Sequence, residues 1–121
     1  MVGSVLSGVK ISSAISATRS TNGTFFTVPA ESFAIFQIRF TGTSGDSGNV
    51  LVDGKTIADF SVHLDNAVIP KYTSSGASAT NAASSGSMVG PFFAGPGQAV
   101  TLSQSGSPGV DITGVIFVNT P

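Results

Sequence analysis

The stretch that decides the fold is TVPAESFAIFQIRF, residues Thr27–Phe40, in which a proline turn leads into a strand. From Phe33 onward, apolar side chains recur with the period of two that places alternate residues on opposite faces of an extended chain. One face takes Ala34, Phe36, Ile38 and Phe40. The other face takes Phe33, Ile35, Gln37 and Arg39, and it turns from apolar to polar halfway along. This pattern predicts a central strand with one face against a second sheet and the other covered by a partner or a loop.

Turn signals divide the rest of the chain into short strands. Asp53-Gly54 lies between β-formers and predicts a tight hairpin over residues 49–59, because both turn positions need a positive φ. Gly95-Pro96-Gly97 predicts a type II turn, and Ser107-Pro108-Gly109 repeats the same turn chemistry. In the last strand, residues 110–119, Gly114 predicts a β-bulge.

These signals predict an all-β protein without helices. We expect a single-domain antiparallel β-sandwich, jelly-roll-like, with eight or nine short strands. The sandwich domain would span residues 22–121, with a flexible Gly/Ser loop at 42–48. A strand at 68–72 would be confined to a sheet edge by Pro70. Residues 73–87 contain no large apolar group, which predicts a low-complexity loop.

Two interpretations stay open for the N-terminal segment, residues 1–21. Val2, Leu6 and Val9 fall at near-helical spacing, whereas Val9 and Ile11 alternate as in a strand. The segment ends at the turn signal Thr21-Asn22-Gly23. It is therefore either a first strand followed by a loop, or an arm that docks on a neighbouring molecule.

The composition indicates a protein whose surface is covered in an assembly. Only 9% of the 121 residues are charged, against about a quarter in ordinary soluble domains. Such a surface protects a free monomer poorly against association, which favours an oligomer. A net charge of −1 gives no electrostatic attraction to nucleic acid. The N-terminus has no signal-peptide pattern and the chain has no apolar run of about 18 residues, so we expect cytoplasmic synthesis and no membrane contact.

The polar residues do not predict a catalytic or metal site. His63 is the only histidine and would share a strand face with Asp59, Ser61 and Asp65. Side chains in such a row point the same way and do not converge on an ion, which favours a solvated or interface face. The chain has no cysteine, which excludes disulfides and thiolate ligands. We therefore expect a protein that is not an enzyme and uses no cofactor.

Four segments resemble a known group of viral proteins. They are NGTFFTVPAESFAI (22–35), VLVDGKTI (50–57), FFAGPGQAVTL (92–102) and ITGVIF (112–117). With these motifs the chain resembles small β-sandwich modules of tailed-bacteriophage virions: capsid decoration (cement) proteins, head fibres and tail-fibre tips. The resemblance covers roughly residues 22–119, and its motifs are turn chemistry rather than site chemistry.

The resemblance implies a homotrimeric capsid decoration protein on the virion surface. Such a protein binds the major capsid protein on the outside of the assembled head and reinforces it. The candidate capsid or subunit interface residues are Val2, Leu6, Val9, Ile11, Phe33, Ile35 and Arg39. The alternative is a receptor-binding knob of a fibre that recognises a host-surface glycan or protein. Its contacts would lie in the loops at 42–48, 73–87 and 104–109.

Overall fold

The computed structural model describes residues 8–62, 68–74, 77–80 and 87–120, with the side chains of 9–62 and 88–119. The regular secondary structure of these residues consists of strands only, in two antiparallel sheets, which confirms the predicted all-β sandwich. Ten strands are described, more than the eight or nine predicted. They are β1 (Gly8–Arg19), β2 (Gly23–Thr27), β3 (Ser32–Thr41), β4 (Ser47–Val52), β5 (Lys55–Val62), β6 (Val68–Ser74), β7 (Ala77–Thr80), β8 (Ser87–Ala94), β9 (Ala99–Ser105) and β10 (Gly109–Thr120).

The two sheets have different sizes. The four-stranded sheet has the order β1-β10-β3-β8, and the six-stranded sheet has the order β2-β9-β4-β5-β6-β7. Strand β3, which carries the deciding stretch, is an interior strand between β10 and β8, as its two apolar faces predict. The finer, jelly-roll-like description stays a prediction.

The core lies between the sheets and is centred on the inner face of β3. Its four inner side chains are at most 1% exposed. The Phe36 ring meets Phe26 edge-on at 5.7 Å and lies 6.0 Å from Phe92. Phe40 stacks on Phe60 with 4.2 Å between ring centroids. Because Phe26 and Phe60 belong to the six-stranded sheet, these contacts join the two sheets.

The structure places most of the N-terminal segment in a strand. Gly8–Arg19 pairs with β10 along its whole length, with a shift in register between Ile11 and Ser13. The turn that follows is held by Arg19, whose guanidinium donates to the carbonyls of Thr21 at 3.1 Å and Asn22 at 3.0 Å. The interpretation as a first strand therefore applies to residues 8–19, and the sandwich includes this strand.

Two predicted turns are confirmed. Asp53 and Gly54 have φ values of 53° and 78°, as the β4–β5 hairpin requires. Gly97 has φ 76°, and its neighbour Gln98 donates its backbone N–H to the carbonyl of Gly95 at 3.1 Å. Both turns were predictable because the positive φ falls on residue types that tolerate it.

The predicted turn at residues 107–109 is wrong in position. The positive φ of this connection is at Gly106, at 86°, and Gly109 already begins β10. A Cβ at Gly106 would collide with the carboxylate of Asp46, so this position needs glycine for space as well as for conformation. The turn is displaced because Asp46, 60 residues away in sequence, fixes the loop.

The predicted bulge at Gly114 is also wrong. Gly114 pairs in unbroken register with Phe36 on one side and Ile15 on the other. A Cβ at Gly114 would overlap the carbonyl oxygen of Ile35 and lie 2.7 Å from the Cα of Phe36. Glycine is needed here because β3 approaches closely, not because the ladder is interrupted.

The bulge near this point lies in β8 instead. Phe36 pairs with Phe92 and Ile38 pairs with Val89. Gly90 and Pro91 therefore both lie opposite a single residue of β3, Gln37.

The low-complexity segment is not entirely a loop. Ala77–Thr80 forms β7, which pairs with β6, and Ser87 begins β8. The edge position predicted from Pro70 is wrong, because β6 pairs with both β5 and β7. Among the described residues, Pro70 pairs with Phe60, and the described pairing of β6 with β7 runs from Lys71 to Ser74.

Candidate interaction surface

The four-stranded sheet presents one face away from the core, which we call the outer face. Residues opposite each other in an antiparallel pair lie on the same face, so the strand register gives its layout. Its successive lines across the sheet are Ile11–Phe117–Phe33, Ala14–Val115–Ile35–Phe93, Ser16–Thr113–Gln37 and Thr18–Asp111–Arg39–Met88. The first two lines form an apolar half and the last two form a polar half.

The apolar half is only partly shielded from solvent. Phe33 and Phe117 stack on each other with 5.1 Å between ring centroids. Ile11 and Phe93 are each 66% exposed. Single exposed apolar side chains are ordinary on protein surfaces, but a continuous group across four strands marks an interaction site.

The polar half carries opposite charges side by side. Arg39 on β3 and Asp111 on β10 are direct register partners. Thr18 donates its hydroxyl to Asp111 Oδ1 at 2.8 Å, which extends the polar line to the edge strand β1. The exposed side chain of Met88 lies at the other end of this line.

The structure gathers several of the candidate interface residues on the outer face. Ile11, Phe33 and Ile35 lie in the apolar half and Arg39 in the polar half. Val9 is half exposed and pairs with Asn119 beyond the apolar half. Val2 and Leu6 lie outside the described residues.

Three aromatic and aliphatic residues of this surface were missed: Phe93, Phe117 and Val115. The last strand is apolar at every position from 115 to 118, so periodicity does not show which side chains face outward. Because Phe92 and Phe93 are adjacent, the sequence did not show which of the two rings is buried. The register shows that it is Phe92.

A small depression, which we call the dimple, lies between the two halves of the outer face. Its volume is about 260 Å³, and its lining residues are Ile35, Phe36, Gln37, Pro91, Thr113 and Gly114. It lies beside the β8 bulge, where Gly90 adds no side chain opposite Gln37. Phe93 is the next outer-face side chain of β8 and borders it.

A second feature is the loop end of the sandwich, which Asp46 holds together. This largely buried carboxylate accepts the backbone N–H of Thr43 at 2.9 Å and that of Ser107 at 3.0 Å. These two hydrogen bonds hold the pKa of Asp46 below its usual value. The predicted flexible loop at 42–48 is therefore tied to the connection between β9 and β10, and its last two residues already belong to β4. That connection covers only residues 106–108 of the predicted loop at 104–109, because β9 ends at Ser105 and β10 begins at Gly109.

We expect Asp46→Asn to lower the free energy of unfolding at pH 7 by about 1–3 kcal/mol, since the amide cannot accept both charge-assisted hydrogen bonds equally well. The folded-state pKa is depressed, so this contribution is present above the unfolded-state pKa of 3.8 and is lost as the pH falls through the lower folded value. Urea unfolding at pH 7 and in this acid range measures the contribution of Asp46 to the free energy of unfolding. On acidification, the variant should lose less stability than the unsubstituted chain. Asp53→Asn, in the hairpin turn, is the control and should change stability little. Equal acid sensitivity of Asp46→Asn and the unsubstituted chain would contradict the assignment.

The six-stranded sheet carries a polar surface feature on its described strands β4, β5 and β9. A shallow depression of about 400 Å³ lies there, with Ser47, Asn49, Asp59, Ser61 and Ser103 among its lining residues. The described part of the chain contains no group of three or more His, Cys, Asp or Glu side chains that could hold a metal ion. His63 and Asp65, which the sequence places beside Asp59, lie outside the described residues.

Comparisons with known proteins identify no relative. No family model matches the chain, and no match was found among curated proteins or among solved structures. Within the described residues, no helix is long and apolar enough to cross a membrane. The function must therefore be argued from the outer face itself.

Proposed function

We propose that the chain is a structural protein of a phage virion, a capsid decoration protein that binds the outside of the assembled head. The observation that carries the proposal is the exposed apolar half of the outer face on a chain with only 9% charged residues. An apolar patch of this kind marks an interaction site, and few charges protect a free monomer poorly against association, which favours an assembly protein over a free binding domain.

The strand order gives this proposal further support. Without β6 and β7, the remaining eight strands form two four-stranded sheets, β1-β10-β3-β8 and β2-β9-β4-β5. This is the arrangement expected of a jelly roll, a fold that viral capsid proteins share with lectins. Since a fold does not fix a function, the assignment to a virion depends on the sequence motifs as well.

Mass action explains how such a protein would reinforce a head. A subunit that contacts two or more capsid proteins binds only the assembled shell and stabilises that state by its binding free energy. An oligomer adds avidity, because equivalent subunits bind the shell at once. In this proposal the homotrimer forms through Phe33, Ile35 and Arg39, and the segment with Val2 and Leu6 contacts the major capsid protein.

The proposal predicts the abundance of the chain in virions. Purified particles should contain it in a fixed ratio to the major capsid protein, of similar order to that protein, because decoration sites repeat over the whole shell. Quantitative gel densitometry or mass spectrometry of virions measures the ratio. Complete absence from purified particles would contradict any virion role.

The alternative function is a receptor-binding knob of a fibre. It is favoured by the Asp46 hydrogen bonds, which hold the connections at 42–46 and 106–108 together at one end of the sandwich. Rigidly held loops are suited to recognising a glycan or protein. The same abundance measurement separates the two functions, since a fibre tip would be present at only a small fraction of the capsid protein.

A further inference from the structure

We infer that the outer face is where two copies of this chain meet, with Phe93 of one copy inserted into the dimple of another. The inference rests on the proposed role as an assembly protein and names the occupant of the surface. It differs from a general docking surface because the face carries both a protruding side chain and a cavity that could receive it.

The two complementary features lie on one continuous surface. Phe93 is 66% exposed although it stands in the apolar half, beside Ile35. The dimple begins at Ile35 and extends to Thr113 and Pro91, with a volume of about 260 Å³. A phenyl ring fits this volume, and burial of its face against Ile35 and Pro91 would remove the most exposed aromatic group of the sheet from water.

The area of the face is sufficient for a specific contact. Strands about 4.8 Å apart, with a rise of about 3.3 Å per residue, give four strands of about ten residues a footprint of about 600 Å². Two copies would then bury about 1,200 Å², the lower end of the range for stable, specific interfaces. The strands concerned have 12, 12, 10 and 8 described residues, so the estimate suits this sheet.

The charges of the face also suit a second copy. Arg39 and Asp111 are opposite in sign and adjacent, so the face carries no net charge from them. A second copy therefore brings no excess like charge to the interface, and each Arg39 can approach the partner's carboxylate instead. A strongly basic or acidic partner would not be attracted by this pair of charges, because they cancel.

The direction in which the copies insert Phe93 determines whether the assembly closes as a pair or as a ring. If both copies insert Phe93 reciprocally, the contact is isologous and closes a pair. If each copy inserts Phe93 into the next in one direction, the contact is heterologous and closes a ring, such as the trimer that the motifs imply. Both assemblies need the same side chain and the same dimple.

Solution mass by light scattering over a dilution series tests the contact. The unsubstituted chain should form a dimer or trimer. Phe93→Asp should raise the dissociation constant at least about thirty-fold, the effect of losing a binding hot spot of about 2 kcal/mol. Thr113→Trp, which fills the dimple and leaves Phe93 in place, should do the same. Ser103→Asp is the matched control, because it introduces a charge at an exposed position of the other sheet, and it should leave the mass unchanged.

Cysteine cross-linking gives a second readout, since the chain has no cysteine of its own. Mixed Phe93→Cys and Thr113→Cys chains should form a disulfide-linked pair on mild oxidation, well above the yield with Ser103→Cys chains. A monomeric unsubstituted chain, masses unaffected by both face variants, or equal cross-linking to Ser103→Cys would overturn the inference. Absence of the chain from virions would overturn the proposed function alone and leave these masses unaffected.

Discussion

Replacing Phe36 by alanine is expected to lower the free energy of unfolding by about 3–5 kcal/mol, the cost of removing a phenyl ring from a filled core. Phe36 is 1% exposed and contacts an aromatic ring from the opposite sheet, Phe26, and one from the neighbouring strand, Phe92. The substitution therefore opens a cavity that both sheets border. Because small domains are stable by only about 5–15 kcal/mol, we expect a large shift of the urea midpoint or complete unfolding.

Phe93→Ala is the matched control, because it also removes a phenyl ring, in this case from β8, the strand next to β3. Its side chain is 66% exposed, so the expected change in the unfolding free energy is within about 0.5 kcal/mol. The comparison is made at a dilution at which self-association does not contribute. Similar losses in the two variants would show that the ring at Phe36 is not the centre of the core.

Replacing Gly114 by alanine is expected to lower the free energy of unfolding by about 2–4 kcal/mol. The new Cβ would overlap the carbonyl oxygen of Ile35 and lie 2.8 Å from the Cβ of Phe36. A flexible side chain could move aside, but here the obstacle includes the backbone of the central strand. The two strands must separate locally, which weakens the ladder between β10 and β3. Thermal or urea unfolding monitored by circular dichroism measures the loss.

Gly95→Ala tests whether the effect is specific to the close approach. A Cβ at Gly95 would meet nothing nearer than Gln98 Oε1 at 3.5 Å, and the backbone N–H that donates to that oxygen is retained. We expect a change of less than about 1 kcal/mol. If Gly114→Ala were as mild, the pairing of β10 with β3 at this point would be looser than the structure shows.

The sequence was most informative where structure depends on adjacent residues. The two faces of β3 follow from alternation within one strand, and the turns at Asp53-Gly54 and Gly95-Pro96-Gly97 follow from the φ values that these residues tolerate. Each of these features is decided within a few residues, so no knowledge of the fold was required.

The errors arose where a distant strand decides the outcome. Gly114 has the appearance of a bulge in its own strand, and only the approach of β3 shows why glycine is required. Pro70 indicated an edge strand, but β6 pairs with β5 on one side and with β7 on the other. The alternation within β3 predicted that Phe33, Ile35 and Arg39 share one face, and the register places them together on the outer face. That Phe93 and Phe117 lie on the same face follows only from the register of three strands.

The bulge at Gly90 and Pro91 has a consequence for how large an assembly can grow. Among the described strands, β8 lies at an edge of its sheet, where backbone without a strand partner can serve as a template for another chain. Proline has no N–H to donate, and the bulge interrupts the regular spacing of the remaining groups. A strand that added along this edge would therefore lose regular hydrogen bonds at the bulge. A protein with few charges to repel its neighbours thus limits open-ended fibril growth at this edge by its backbone, while the face beside it stays available for a finite complex.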